Sequence, residues 1–475
     1  MTGIYNALDY NIIGDGEFNN TDAFNLLLKT IGDNGGGTLY VPPGRYVTGS
    51  IQLKANTTLH LEAGAVLLGS CSPEDFPLIT DKEIPGWKGR DHRALISAYK
   101  ADNITITGRG TIDGRGGIYW WPHKNKEDPR RPRCIQLIDC RNVLISDISI
   151  CNSPAWTVHP AVCENVTVSG ITIKNPADSP NTDGINPEGC KNVHISNCNI
   201  DVGDDCIAIK AGTQDEIFLR RPCENITITN CTMINGHGGV VIGSEMSGGV
   251  RHIVISNCVF NGTDRGIRIK TRRKRGGCVE DVRVTGISMK NVFCPFVLNG
   301  YYQCGASADD MSLFTLDPLP ADEGTPVFKD ISVSGVTATD VSACAMFFYG
   351  IPESPITGVS VTDFSVKFKK GAAEPQYPAM IHHIPAMAKA GIKLRYAQDC
   401  SFRNIRIDTD SKDGSPMSLS SCSYVSVDGL NTRTWSDSSK LELDNCEDVD
   451  LRNIGTLPLK TDGCSNISLN GLVQL

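Results

Sequence analysis

The sequence predicts an all-β solenoid, a parallel β-helix, and three observations carry that expectation. A short phrase of alternating polar and aliphatic residues recurs along most of the chain. Its copies return at a variable interval within roughly 20–50 residues, the spacing of stacked solenoid coils. The stretches between copies show no helical periodicity and are too short for the crossover helices of a doubly wound sheet.

Near the start, Thr21 or Asn20 can cap a short amphipathic helix, DAFNLLLKTIG, closed by Gly32 and the glycine run 35–37. A solenoid must cover the open edge of its first rung, and residues 1–60 are expected to supply this cap and the first coils. The repeats then follow: NITITGRGTI from Asn103, NVLISDISI from Asn142, NVTVSGITI from Asn165 and NVHISNCNI from Asn192. They continue as NITITNCTM from Asn225, HIVISNCVF from His252, DVRVTGISM from Asp281 and DISVSGVTA from Asp330. Weaker copies start at Gly358, Asp399, Tyr424, Asp448 and Asn466. Period-2 alternation rich in Val, Ile and Thr means strands. Segments 71–92, 118–133 and 303–328 lack the repeat and are expected to be loop insertions around a cleft. On this reading residues 1–475 form a single domain.

The chain of 475 residues is 40% hydrophobic and 21% charged, enough to build a core and unlike a disordered composition. Its net charge of −8, from 53 acidic against 45 basic residues, argues against a nucleic-acid or anionic-membrane partner. The opening MTGIYNALDYNIIGDG has no basic or apolar signal pattern, and no apolar run reaches the roughly 18 residues of a membrane span. A cytoplasmic location is therefore expected. Nineteen cysteines would suit a disulfide framework, but the number is odd and Cys198, Cys231 and Cys258 occupy one equivalent repeat position. They read as reduced, buried, small hydrophobes. No C-x-x-C pair exists, so zinc is not expected, and no site for another metal is read in the sequence.

Four consecutive coils concentrate the chemistry: Asn181-Thr182-Asp183-Gly184, Gly203-Asp204-Asp205, Gly236-His237-Gly238-Gly239 and Arg268-Ile269-Lys270. Stacked parallel strands lie roughly 4.8 Å apart, so one column could present these carboxylates, an imidazole and two cations to a single ligand. Alternation directs Ile207, Ile209, Ile267 and Ile269 inward, leaving Cys206, Ala208, Lys210, Arg268 and Lys270 outward. It would also put only one of Asp204 and Asp205 outside, unless the chain turns at Gly203. Any one of these groups alone would be an ordinary turn or surface residue. Their coincidence on successive rungs favours a site.

At these residues the chain resembles glycoside hydrolase family 28, the polygalacturonases and their relatives. The motifs NTD, DD after a glycine, GHG and RIK all stand in order, following an opening GDG…GGGTLYVPPGRY. The resemblance implies a single-stranded, right-handed, pectin-lyase-like β-helix that hydrolyses α-linked galacturonate bonds with inversion and without a cofactor. It makes Asp204 the general acid, Asp183 and Asp205 the holders of the attacking water, and His237 a group that tunes Asp204. It makes Arg268 and Lys270 the binders of a sugar carboxylate, with Asn181, Gly238 and Tyr302, one of the doubled Tyr301-Tyr302, also contacting substrate. Three clustered carboxylates cannot all ionise cheaply, so one should stay protonated near neutral pH. The run Arg272-Arg273-Lys274-Arg275 is read as attracting the acidic pectic oligosaccharide. Attack from a chain end is expected, with Trp87, Arg90, His92, Trp120, Trp121 and His123 in the insertions placed to grip a terminal sugar. The rival readings are a rhamnogalacturonan or xylogalacturonan hydrolase, a calcium-dependent pectate-lyase-like eliminase, and a non-catalytic carbohydrate-binding β-helix.

Overall fold

Strands dominate the computed structural model of the chain, which describes residues 3–87, 91–124, 129–307, 309–382, 384–411, 414–433, 435 and 439–473. They form two compact units, Met1–Gly236 and His237–Leu475, each a stack of parallel strands. In the first unit one row runs Gly37–Val41, Thr57–Leu61, Ile104–Gly108, Arg141–Ser146, Glu164–Ser169, Lys191–Ser196 and Cys223–Thr229, each parallel to the next. A second row runs Ile51–Gln52, Ile96–Tyr99, Ile135–Ile138 and Val158–Ala161, and continues as single bridges through Ile185 and Ile207. The second unit repeats the scheme, with one row from Val250–Ser256 to Ser465–Leu469 and another from Val240–Gly243 to Leu459–Asp462. This is the parallel β-helix that the repeats predict, of the right-handed kind that the resemblance implies.

The repeat phrase has a backbone cause. All thirteen residues that head a copy adopt positive φ, from Asn103 at 59° through Asn165 at 58°, Asp281 at 51° and Tyr424 at 53° to Asn466 at 53°. Left-handed backbone is strained for most residues and cheapest for Gly, Asn and Asp, which hold eleven of the thirteen heads. In the first unit the asparagines also stack. Each carboxamide donates to the one a coil earlier: Asn103 to Asn56 (2.7 Å), Asn142 to Asn103 (3.0 Å), Asn165 to Asn142 (3.1 Å), Asn192 to Asn165 (3.0 Å) and Asn225 to Asn192 (2.9 Å). After each head the alternation buries every second side chain, as with Val166 and Val168, both fully buried.

All nineteen cysteines are free thiols. Cys198, Cys231 and Cys258 are each buried, with Sγ 3.2 Å from the carbonyl oxygen two residues earlier. The predicted helix spans Thr21–Asp33 and buries Phe24, Leu27, Leu28 and Ile31, the i, i+3, i+4, i+7 set. Its start differs from a simple side-chain cap. Asn20 holds the N-cap position but spends its carboxamide on Ile13 and on the Phe18 and Val47 carbonyls. Among the described residues no helix is long and apolar enough to cross a membrane.

The loop segments are packed against their units. Trp87 joins Ile79, Ile84, Ile138, Ala161 and Leu219 in a buried cluster, and its Nε1 donates to Asp91 at 2.9 Å. Trp120 is 3% exposed and meets Phe76 and His92 edge to face. Those two indoles therefore serve packing and are not available to grip a sugar. Trp121 is half-buried and His123 exposed, while Arg90 lies outside the described residues. A further excursion, 369–389, interrupts the repeat and went unnoticed in the sequence. Its Ala379 and Ile381 pack with Tyr301, Phe347 and Ile351.

Replacing Asn165, in the middle of the ladder, tests which term governs the strand head. Asn165→Ala is expected to cost about 1–3 kcal/mol in urea unfolding, because it loses two ladder bonds and keeps the left-handed strain. Asn165→Gly should cost less. The reverse order would show that backbone strain is not the governing term.

Candidate active site

The three aspartates lie in the first unit, and one oxygen from each falls within 4.8 Å of the other two. Asp183 follows the turn that leads into the bridge at Ile185, while Asp204 and Asp205 precede the strand Ile207–Ile209. Backbone bonds tie the two rungs together: Gly184 N–H donates to Asp205 at 3.0 Å and Ile185 N–H to Cys206 at 3.0 Å. A Cβ on Gly184 would lie 2.3 Å from the Cys206 carbonyl, so only glycine lets these rungs approach so closely.

Asp183 is 3% exposed, Asp205 1% exposed, and Asp204 partly open to solvent. Alternation thus separates Asp204 from Asp205 in exposure, as expected, yet both contribute an oxygen to the cluster. Asp204 Oδ1 accepts the Asp205 backbone N–H at 2.9 Å. Asp183 Oδ2 accepts from Asn186 Nδ2 at 2.9 Å. Burial, reinforced by the Asp204 charge, opposed by Lys210 and reinforced again by Asp205, pushes the Asp183 carboxyl up to about 8. The buried Asp183 carboxyl therefore keeps its proton at neutral pH.

Three further side chains attend the trio that the sequence reading did not single out. Asn186 orients Asp183. Lys210 is 5% exposed, with its ammonium 4.6 Å from the ring centroid of Trp156. Arg131 donates to the Pro154 and Pro180 carbonyls and to Asn181 Oδ1. Burial brings its pKa down to about 10, helped by Arg133 and opposed by Asp183 and Asp204, so it is charged at neutral pH. Asn186 carries a faint sequence signal, three residues beyond Asp183. Arg131 carries none, because a repeat-free segment offers no register.

The second unit holds the remaining candidates. His237 is exposed, and its Nδ1 lies 2.9 Å from Asp264 Oδ2, which also pairs with Arg265 at 3.1 Å. Gly238 is buried directly after it. Arg268 and Lys270, expected on an outward face, are 2% and 5% exposed. The same applies in the first unit to Cys206 and Ala208, both fully buried. These strands are covered on both faces. In the second unit Tyr302 lies over the two cations, its ring centroid 5.7 Å from the Arg268 guanidinium and 5.0 Å from the Lys270 ammonium. Nearby, the 369–389 excursion offers the Tyr377 and Pro378 carbonyls to Arg265. The doubled tyrosine is resolved by this arrangement, since Tyr301 turns into the core and donates to the Thr315 carbonyl.

The basic run is not a free attractor for a polyanion. Arg273 is 4% exposed, pairs with both Glu353 oxygens at 2.5 and 2.8 Å, and donates to carbonyls of Ser312, Thr315 and Asp317. Arg272 holds the Cys304 and Gly305 carbonyls, Lys274 pairs with Asp310, and Arg275 with Glu245. Arg272, Arg273 and Lys274 thereby fasten the 303–328 segment down.

The family profile described as Glycosyl hydrolases family 28 matches residues 38–382. A probable polygalacturonase of Vitis vinifera is 38% identical over 76% of this chain and 73% of its own length. An endo-polygalacturonase of Pectobacterium carotovorum subsp. carotovorum is 32% identical over 58% of this chain and 70% of its own. The crystal structure of an exopolygalacturonase from Thermotoga maritima superposes with a TM-score of 0.68 at 29% identity, covering 78% of this chain and 88% of that one.

The protonated Asp183 has a consequence for stability. Its ordinary value is 3.8, so between that and about 8 the unfolded chain has released a proton that the folded protein retains. Stability should therefore fall as pH rises through that window. Asp183→Asn removes the cost while keeping an acceptor for Asn186. Its melting temperature should exceed that of the parent by a margin that grows from pH 4 to pH 8. Parallel melting curves across that range would overturn the assignment of the proton.

Proposed function

The chain belongs to family 28 of the glycosyl hydrolases, and from that premise we propose that it cleaves α-linked galacturonate bonds of pectic chains with inversion, releasing sugar from a chain end. The observation that carries the reading is the carboxylate trio, one member buried and protonated and one open to solvent. Asp204, the accessible member, donates to the leaving glycosidic oxygen, while Asp183 and Asp205 hold and activate the water. In the reacting arrangement the proton that burial keeps in the cluster sits on Asp204, which leaves Asp183 ionised beside Asp205 to take up the proton released by the water.

The nearest oxygens lie within 4.8 Å, closer than the roughly 6.5–9.5 Å usual between two opposed carboxyl groups in inverting enzymes. A paired base explains the difference, because the water is gripped by two carboxylates and not lodged between an acid and a single base. Arg268 and Lys270 provide two buried cations for a galacturonate carboxylate. Arg suits planar two-point recognition and Lys adds a compact charge. His237, held through Nδ1 by Asp264, presents its Nε2 as a fixed polar group. The same trio has the donor set for a cation, the requirement of the eliminase reading. The raised Asp183 value speaks for a proton in that place. The repeat-free segments 71–92, 118–133 and 303–328 are the sequence feature behind the proposed attack from a chain end.

Asp204→Asn should lower turnover on polygalacturonate by about 10²–10⁴ with folding intact. Freshly formed product should carry the inverted anomeric configuration by proton NMR, and chelator should leave the rate unchanged. Retained configuration, or an ultraviolet-absorbing unsaturated product lost with chelator, would overturn the mechanism. Early monomer or dimer with slowly falling viscosity supports chain-end attack, and an immediate ladder of mid-sized oligomers overturns it.

A further inference from the structure

Arg131 comes from segment 118–133, outside the repeat, yet its guanidinium is tied at three points. Nη1 donates to the Pro154 carbonyl at 2.7 Å and to the Pro180 carbonyl at 2.9 Å. Nη2 donates to Asn181 Oδ1 at 2.7 Å. Pro154 and Pro180 lead into consecutive coils, the second of which carries Asp183. Asn181 itself stands at φ +54°, with its side chain exposed, and its Nδ2 lies 3.5 Å from Asp204 Oδ2.

The direction of that carboxamide follows from donor and acceptor identity. A guanidinium has five N–H donors and no acceptor, so the end of Asn181 that faces it must be the oxygen. The NH₂ end is then forced toward Asp204. Turned over, Asn181 would set its NH₂ against a cation and its oxygen against a carboxylate, both unfavourable. The 3.5 Å contact is long for a hydrogen bond, as such contacts often are before a substrate tightens them. Asp204 Oδ1 already accepts the Asp205 N–H, so Oδ2 is the oxygen left facing Asn181 and solvent.

We propose that Arg131 is a positioning residue, which locks Asn181 with its NH₂ toward Asp204 and so fixes the orientation of that carboxyl. It touches no reacting atom and acts through Asn181. The two proline carbonyls make it a clamp with a set depth, and the fork geometry explains why arginine stands there. One lysine ammonium could not reach two carbonyls and a carboxamide in the same plane. The catalytic consequence rests on Asp204 being the proton donor. The geometric claim does not.

The test uses Arg131→Lys, which keeps the charge, and Arg131→Ala, with each variant's melting temperature recorded. Arg131→Lys should lower kcat by up to about a hundredfold with KM little changed, as expected when an aligned group is released and not removed. Adding methylguanidinium should restore part of the activity of Arg131→Ala. Asn181→Ala combined with Arg131→Lys should be little worse than Asn181→Ala alone, since the two act in series. A readout independent of turnover is the side-chain amide ¹⁵N–¹H₂ pair of Asn181, identified by its loss in Asn181→Asp. That pair should shift in Arg131→Lys while those of the ladder residues Asn165 and Asn192 stay in place. If the parent enzyme cleaves no pectic substrate, the proposed reaction fails and the amide resonance still judges Arg131. An unmoved Asn181 resonance, or fully additive losses in the double variant, would reduce Arg131 to a staple between coils and overturn the proposal.

Discussion

Everything in this molecule depends on one backbone requirement, a residue in left-handed conformation at the head of each repeat strand. The strand that follows must lie parallel to the previous one about 4.8 Å away, and the chain must enter it at the same point on every coil. Asparagine meets both needs, because it tolerates positive φ and its carboxamide reaches the next carboxamide in the stack. Where asparagine is missing, the sterics remain. His252, Asp281 and Tyr424 take the same conformation, and His252 Nδ1 lies 2.8 Å from Asp281 Oδ2. A column of polar heads in register implies a register for everything downstream. That is how residues 183 and 204, twenty-one apart, bring oxygens within 4.8 Å.

This requirement also explains what could be read from the sequence. The strand heads, the alternation behind them and the four motifs share one period, so the fold class and the aspartate trio were legible together. Groups that depend on covering segments were not. Arg131, Asp264 and the 369–389 excursion have no periodic signature, and they reach partners 50, 27 and 113 residues away in turn. The inward–outward rule failed for exposure, though not for direction. Arg268 and Lys270 do leave the core side of their strand, but Tyr302 lies over them. The run Arg272–Arg275 misled for the same reason, since its charges are consumed by Glu353, Asp310, Glu245 and loop carbonyls. Composition counts charges and cannot tell which are already paired.

The site stores free energy against the fold. Burying Asp183 beside two other carboxylates costs stability at neutral pH, and Asn186 compensates only in part, through one donor to Asp183 Oδ2. An apolar residue at position 183 would pack with less penalty and could hold neither proton nor water. Destabilisation concentrated on a single carboxyl is the usual mark of a group kept for chemistry.

The cationic side follows the opposite logic. Burying a guanidinium and an ammonium in one place is unfavourable, and like charges add repulsion. A tyrosine ring beside both relieves part of that cost through its negative face. An acid in place of Tyr302 would set a carboxylate against the same two cations and would compete with the galacturonate carboxylate proposed for them. An aromatic ring stabilises the charges without adding a negative charge of its own. That distinction separates Tyr302 from Tyr301, whose hydroxyl is committed to the Thr315 carbonyl and whose ring supports the core.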